Sequence, residues 1–235
     1  MIYNPYPQVE LKYGKDNKYF LQLFNSIMKV DRCFVKYKIS CGENRFKYVD
    51  HLERVFAYEL YRHWSNIIAL DGEKLLLNGE INKVINKNKI QYRVDNSLNF
   101  EEVTLYPDLI LHHSQSDDDS QLIVCEIKRN HQLSGSKILS DLYKISCYMA
   151  PDIFKNESKP FKFGVFILVG NSLSMINEYL NIDTEIKVDE STKLNLSDFA
   201  NNEQLCNSFD RIVCVAYDGT NLEYDTLDVI LSPYK

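Results

Sequence analysis

Two kinds of hydrophobic pattern alternate along the chain. In residues 17–30, Tyr19, Phe20, Leu23, Phe24, Ile27 and Met28 recur three or four residues apart, and Asp16 stands where a cap belongs. That spacing predicts an amphipathic helix. A second helix is predicted over 51–68, with Asp50 as its cap and Leu52, Val55, Phe56, Leu60, Trp64 and Ile67 on its apolar face. A third runs over Ser136–Met149, turning Ile138, Leu139, Leu142 and Ile145 inward, and a short one is predicted over Leu173–Leu180.

Other stretches read as strands: Cys33–Ser40, Lys74–Ile81, Lys89–Val94, Glu102–His112, Gln121–Lys128, Phe161–Val169 and Arg211–Tyr217. Two of them, Phe161–Val169 and Arg211–Tyr217, are apolar almost throughout, as strands buried on both faces are. Residues 1–15 read as an irregular arm, 114–120 as a solvated loop, and 181–209 as a polar stretch without a clear period. This order predicts an α/β fold with a mixed β-sheet flanked by helices. It is divided into an N-terminal arm and helix over 1–48 and an α/β domain over 49–235.

Composition narrows the field. A chain of 235 residues is long enough for one sizeable core. With Gly 8 and Pro 6, it is neither collagen-like nor a disordered linker. No apolar run approaches the roughly 20 residues of a membrane helix, and no secretory signal is read at the start. The six cysteines form no C-x-x-C pair, which argues against zinc; Cys125 and Cys214 read as core residues, and a reducing cytoplasm is the expected compartment. A net charge of −6 argues against strong unspecific binding to nucleic acid. It leaves room for a local basic groove: residues 128–144 hold Lys128, Arg129, Lys137 and Lys144 against Asp141 alone, whereas 183–203 hold six acids and two lysines.

The chemistry sits where acids interrupt apolar strands. Asp108 lies in Tyr106-Pro107-Asp108-Leu109-Ile110-Leu111, and Glu126 and Lys128 interrupt Leu122-Ile123-Val124-Cys125-Glu126-Ile127-Lys128. Strand side chains alternate faces, so Glu126 and Lys128 point the same way. Two acids brought together repel unless a cation lies between them, and a hard divalent ion with oxygen ligands fits that need. An acid, any residue, then lysine occurs five times here, starting at Glu10, Asp16, Glu126, Glu157 and Glu185. A second pairing, Asp152 with Glu185-Ile186-Lys187, lacks the apolar flanks and is expected to be a decoy.

Pro107-Asp108, the eighteen positions to Glu126, and Glu126-x-Lys128 together resemble the PD-(D/E)XK nuclease superfamily, over roughly residues 50–170. The resemblance implies a restriction-endonuclease-like core with an N-terminal helical extension. It implies hydrolysis of DNA phosphodiester bonds by a metal-activated water, with Mg²⁺ as cofactor and Mn²⁺ as a substitute. Asp108, Glu126 and the main-chain carbonyl of Ile127 would hold the metal, and Lys128 would orient or activate the water. The family often adds a glutamate from the preceding helix; Glu53 and Glu59 both qualify by helical geometry, and Glu59 is preferred for its resemblance to the family's helix. Arg129, Asp141 and Lys144 are the substrate-binding candidates, with Tyr148 one turn further on. Nucleic acid is the expected partner, DNA over RNA, with no membrane, and with a homodimer or a larger defence or repair assembly as the setting. The alternative is a catalytically inactive nucleic-acid- or partner-binding module on the same fold, or a structural domain of an assembly.

Lesser signals remain. His112 and His113 are adjacent in a strand and face opposite ways, which argues against joint metal binding. His131 lies near Lys128, and Lys83, Lys87, Lys89, Tyr92 and Arg93 form a basic stretch suited either to a nucleic-acid backbone or to a solvated hairpin.

Overall fold

In the computed structural model, chain contacts separate residues Met1–Glu73 from Lys74–Lys235. The structure describes residues 12–35, 37–40, 46–49, 53–72, 74–79, 83–86, 102–105, 107–113, 121–129, 133–150, 160–181, 183–188 and 193–235. The predicted strand Lys89–Val94, the loop 114–120 and the cap Asp50 lie outside them.

In the first unit, α1 (Asn17–Lys29) buries Tyr19, Phe20, Leu23, Phe24 and Ile27 of the stripe its spacing predicts, while Met28 is exposed. It packs on α2 (Glu53–Asp71), which buries Phe56, Leu60, Trp64 and Ile68 and so presents a narrower seam at every fourth residue. Gln22 Nε2 donates to Asp71 Oδ2 at 2.9 Å and ties the two helices together. The helix runs past residue 68 and stops before Gly72, whose φ of 73° only glycine adopts cheaply. Cys33 is not in a strand: Asp31 accepts from its backbone N at 2.8 Å and starts a 3-10 turn, Arg32–Phe34. The extended chain begins later, as the antiparallel pair β1 (Tyr37–Ser40) and β2 (Phe46–Val49). The division at residue 73 groups α2 with α1, where the sequence reading grouped it with the sheet.

The second unit is built on a six-stranded mixed sheet. Its strands in chain order are β3 (Leu75–Gly79), β6 (Leu109–His113), β7 (Gln121–Arg129), β8 (Phe163–Val169), β11 (Ile212–Tyr217) and β12 (Leu222–Thr226); across the sheet they run β12-β11-β8-β7-β6-β3. The centre, β7, β8 and β11, is parallel, and the other neighbours are antiparallel. Almost every side chain of the three central strands is buried, which is why β8 and β11 read as unbroken apolar runs and β7 as one interrupted by Glu126 and Lys128.

The stretch Glu102–His112 does not form one strand. It gives β5 (Glu102–Leu105), which pairs with β4 (Lys83–Asn86) in a separate two-stranded sheet, and β6, which pairs with β7. Pro107 stands between them; it has no N–H for a ladder and restricts the residue before it. The polar stretch 181–209 contains a short pair, β9 (Glu185–Lys187) with β10 (Lys193–Asn195), then α5 (Leu196–Ala200) and a 3-10 segment. Its isolated apolar residues, Leu194, Leu196, Phe199 and Phe209, are fully buried, and their wide spacing hid any period. β12 carries acids at alternate positions, Glu223 and Asp225, and leads into the short helix α6 (Leu227–Leu231).

One long helix covers the site end of the sheet. α3 (Gly135–Met149) is capped by Ser134, whose side chain accepts from Lys137 N at 3.3 Å, and it buries Ile138, Leu139, Leu142 and Ile145 as its spacing predicts. With α4 (Ser174–Tyr179), α5 and α6 it shares a core with Val124, Phe166, Leu168, Cys214 and Ala216 of the sheet. Cys125, Cys147 and Cys214 are buried and free. Among the described residues no helix is long and apolar enough to cross a membrane.

Gly164 of β8 sets how closely α3 approaches. A Cβ there would lie 2.2 Å from Ile145 Cγ2 and 2.8 Å from Met149 Sδ. Gly164→Val is expected to lose roughly 1–3 kcal/mol of stability, the usual cost of overpacking. Urea denaturation measures it, and a variant as stable as the native chain would show that α3 is free to shift.

Candidate functional site

β6 and β7 are antiparallel, with Ile110 opposite Val124. Two residues along in each direction, Asp108 falls alongside Glu126. Asp108 precedes the first residue of β6, and its backbone is held by its N–H, which donates to Cys125 O at 3.1 Å. Its carboxylate Oδ2 accepts from Ile127 N at 2.7 Å. The acid thus takes the hydrogen bond that a further residue of β6 would have made. Within a strand the N–H and C=O of one residue point to the same flank, so the Ile127 carbonyl is also directed toward Asp108.

Glu126 and Lys128 alternate with buried neighbours and face α3, as Val124 does. From α3, Lys144 Nζ reaches Glu126 Oε2 at 2.8 Å and stands 3.6 Å from Asp141 Oδ1. Lys128 Nζ lies 3.1 Å from Asp141 Oδ2. The result is a chain of alternating charge, Glu126, Lys144, Asp141, Lys128, with Asp108 beside its first member. Glu126 is 2% exposed, and its Oε1 has no hydrogen-bond partner among the described residues. A buried carboxylate oxygen without a partner is costly.

Burial dominates the titration of this cluster. It raises the Asp108 carboxyl above its ordinary value against the pull of the Ile127 N–H and of Lys144 and Lys128. It raises Glu126 well above its own ordinary value, aided by Asp108 and Asp141 and opposed by Lys144. For Lys144, burial works against the charge, but Glu126 and Asp141 outweigh it and hold the ammonium above its ordinary value. Burial likewise pushes the Tyr148 hydroxyl up.

The structure therefore brings together Asp108, Glu126, Lys128, Asp141 and Lys144. Arg129 leaves β7 on the opposite face from Lys128 and is buried at 7% exposure. Glu59 belongs to the first unit, where it accepts from Arg62 Nε at 3.0 Å and Nη2 at 2.7 Å, with His63 Nε2 at 3.9 Å. Glu53 opens the same helix. His112 pairs with Asn78 at 2.6 Å. Lys83 lies in β4, and His131, Lys87, Lys89, Tyr92, Arg93 and Asp152 lie outside the described residues. Glu185 and Lys187 are exposed on the β9–β10 pair, and Glu185 is bound to Lys193.

Asp141 and Lys144, three residues apart on α3, each find a partner on β7, Lys128 and Glu126. Asp141 is itself an acid close to Leu139 and Leu142 on a face that turns inward.

Among the described residues no three His, Cys, Asp or Glu side chains are grouped to hold a metal ion. Side chains alone are thus too few; two carboxylates and one carbonyl are what is offered. The unpartnered Oε1 of Glu126, beside Asp108 and the Ile127 carbonyl, fits a hard cation with oxygen ligands.

The raised carboxyls have a consequence for stability. A carboxyl with a raised folded pKa binds its proton more tightly in the folded chain. The stability this contributes is present below the ordinary carboxylate range and is lost as pH rises through the folded value. In EDTA, Glu126→Gln is expected to gain on the native chain in melting temperature as pH goes from about 5 to about 8. Added Mg²⁺ should then raise the melting temperature of the native chain and not that of the variant. A difference that shrinks with pH would contradict the burial account. Set beside known proteins, the chain matches no protein-family model, no curated protein and no solved structure.

Proposed function

We propose that the protein is a Mg²⁺-dependent nuclease that hydrolyses DNA phosphodiester bonds with water as the nucleophile, on a core of the PD-(D/E)XK kind. The observation that carries this reading is the meeting of Asp108, Glu126 and Lys128 at one end of β6 and β7, with a buried Glu126 oxygen left without a partner. The mixed sheet and the helix that follows the Glu126-Ile127-Lys128 strand agree with what the resemblance implies.

Asp108, Glu126 and the Ile127 carbonyl would hold Mg²⁺, or Mn²⁺ in its place. The bound ion would supply a lowered water pKa and charge neutralisation at the phosphate oxygens. Lys128 offers a fixed positive charge where negative charge accumulates on the phosphate. Its side chain is 25% exposed, so it can reach a ligand, and Asp141 holds its ammonium at 3.1 Å. That tether matters because a small misplacement of such a group costs much rate. DNA is the substrate and the cytoplasm the setting on this reading; all five described cysteines are free.

One observation favours the inactive binding module instead. Glu126 and Asp141 are already paired with Lys144 and Lys128, so much of the charge is balanced without a metal. Incubation of the full chain with single-stranded, double-stranded and branched DNA and with RNA, in Mg²⁺, Mn²⁺ or EDTA, separates the two. Cleavage of DNA in either metal and none in EDTA is expected. Binding without cleavage in any metal would favour the inactive module, and cleavage of RNA alone would overturn the substrate.

Lys128→Ala is expected to lower metal-dependent cleavage by about 100-fold or more, measured at a temperature where both chains remain folded, since the variant takes one ion-pair partner from Asp141. Lys187→Ala is expected to cut at the native rate. Equal activity in the first, or loss in the second, would show that the wrong lysine was chosen.

A further inference from the structure

Two lysines reach the cluster, but the chemistry above uses one. Lys144 is the other. Its Nζ is 2.8 Å from Glu126 Oε2 and 3.6 Å from Asp141 Oδ1, so it leans on the first acid with the second within reach. Its side chain is 21% exposed while that of Glu126 is 2% exposed, so the ammonium lies between the buried acid and solvent. A bare carboxylate at that depth would be expensive, and Lys144 is the cation nearest to it among the described residues.

A divalent ion on Asp108 and Glu126 would meet the same ammonium at close range. Like charges a few ångströms apart inside a protein repel strongly. The ammonium and the ion therefore compete for Glu126. Asp141 is the acceptor to which Lys144 can turn, since it is three residues away on the same helix and its Oδ1 already faces Nζ.

We propose that Lys144 is the resident counter-ion of this site, holding Glu126 when no divalent ion is there and withdrawing onto Asp141 when one arrives. This rests on the reading of Asp108 and Glu126 as metal ligands. Lys144 is then a positioning residue that acts through Glu126. It keeps the acid aligned at the expense of some metal affinity. Asp141 serves both lysines, and its hold on Lys128 is coupled to metal loading through Lys144.

Calorimetric titration of the full chain with Mn²⁺ tests this without any cleavage assay. Lys144→Met removes the competing charge at similar length and is expected to bind Mn²⁺ at least about fivefold more tightly than the native chain. Lys144→Arg keeps the charge and is expected to stay within about twofold of it. Should the Met variant fail to melt cooperatively in EDTA, Lys144→Gln, which keeps an N–H donor for Glu126, carries the same expectation. Equal or weaker binding in the folded neutral variant would overturn the counter-ion role while leaving the metal site standing. Absence of Mn²⁺ binding by the native chain would overturn the metal reading itself, and this role with it.

Discussion

The Asp108 carboxylate receives the N–H of Ile127, and the site is organised around that bond. Pro107 cannot donate to a ladder, so β6 cannot be extended upstream as an ordinary strand. Asp108 instead gives its own N–H to Cys125 O and offers its side chain to Ile127. A charged acceptor replaces a peptide carbonyl at the frayed corner of a sheet. Because β7 continues to Arg129 with β8 on its far side, the partner of that bond is rigid. The acid is therefore fixed relative to Glu126 and Lys128 by backbone geometry and does not depend on a flexible loop.

The second layer is electrostatic. Three acids, Asp108, Glu126 and Asp141, influence one another here, against two lysines. Among the described residues the acids outnumber the lysines by one, and Glu126 Oε1 is a carboxyl oxygen without a hydrogen-bond partner. Buried ion pairs are held together by geometry more than by net energy, and removing one partner leaves an uncompensated charge. Gly164 is part of this balance, since it lets α3 approach closely enough for Asp141 to reach Lys128 and for Lys144 to reach Glu126. The proposed divalent ion would give Glu126 Oε1 a partner.

Much of this was legible in the sequence where one physical signal dominated. Helical spacing gave α1 and α3 to within a residue or two, and unbroken apolar runs gave β8 and β11. Acids interrupting apolar strands pointed to Asp108, Glu126 and Lys128, because an unexplained charge in a buried strand is rare. What was hidden depends on contacts between distant segments. Nothing in Glu102–His112 says that its first part pairs with residues 83–86 and its second with β7. Arg129 was placed by its nearness to Lys128, yet neighbours along a strand face opposite ways. Isolated apolar residues in 181–209 carry no period, because each fills its own gap in the core.

The net charge of −6 and a phosphate substrate look mismatched until the charges are placed. Several acids of 183–203 have local work: Glu185 binds Lys193, and Asp198 receives the Asn195 side chain at the start of α5. In the cluster the order of depth runs the other way. Lys128 and Lys144 are 25% and 21% exposed, whereas Asp141 and Glu126 are 8% and 2% exposed. Both lysines are thus more exposed than these two acids, while Asp108 is half-buried. An anion approaching from solvent would meet positive charge first, although the cluster as a whole is negative. Overall charge governs solubility and long-range steering, while the stacking of charge with depth governs what a site admits. On the proposed reading, an acidic protein can for that reason present a phosphate-accepting surface that its composition does not reveal.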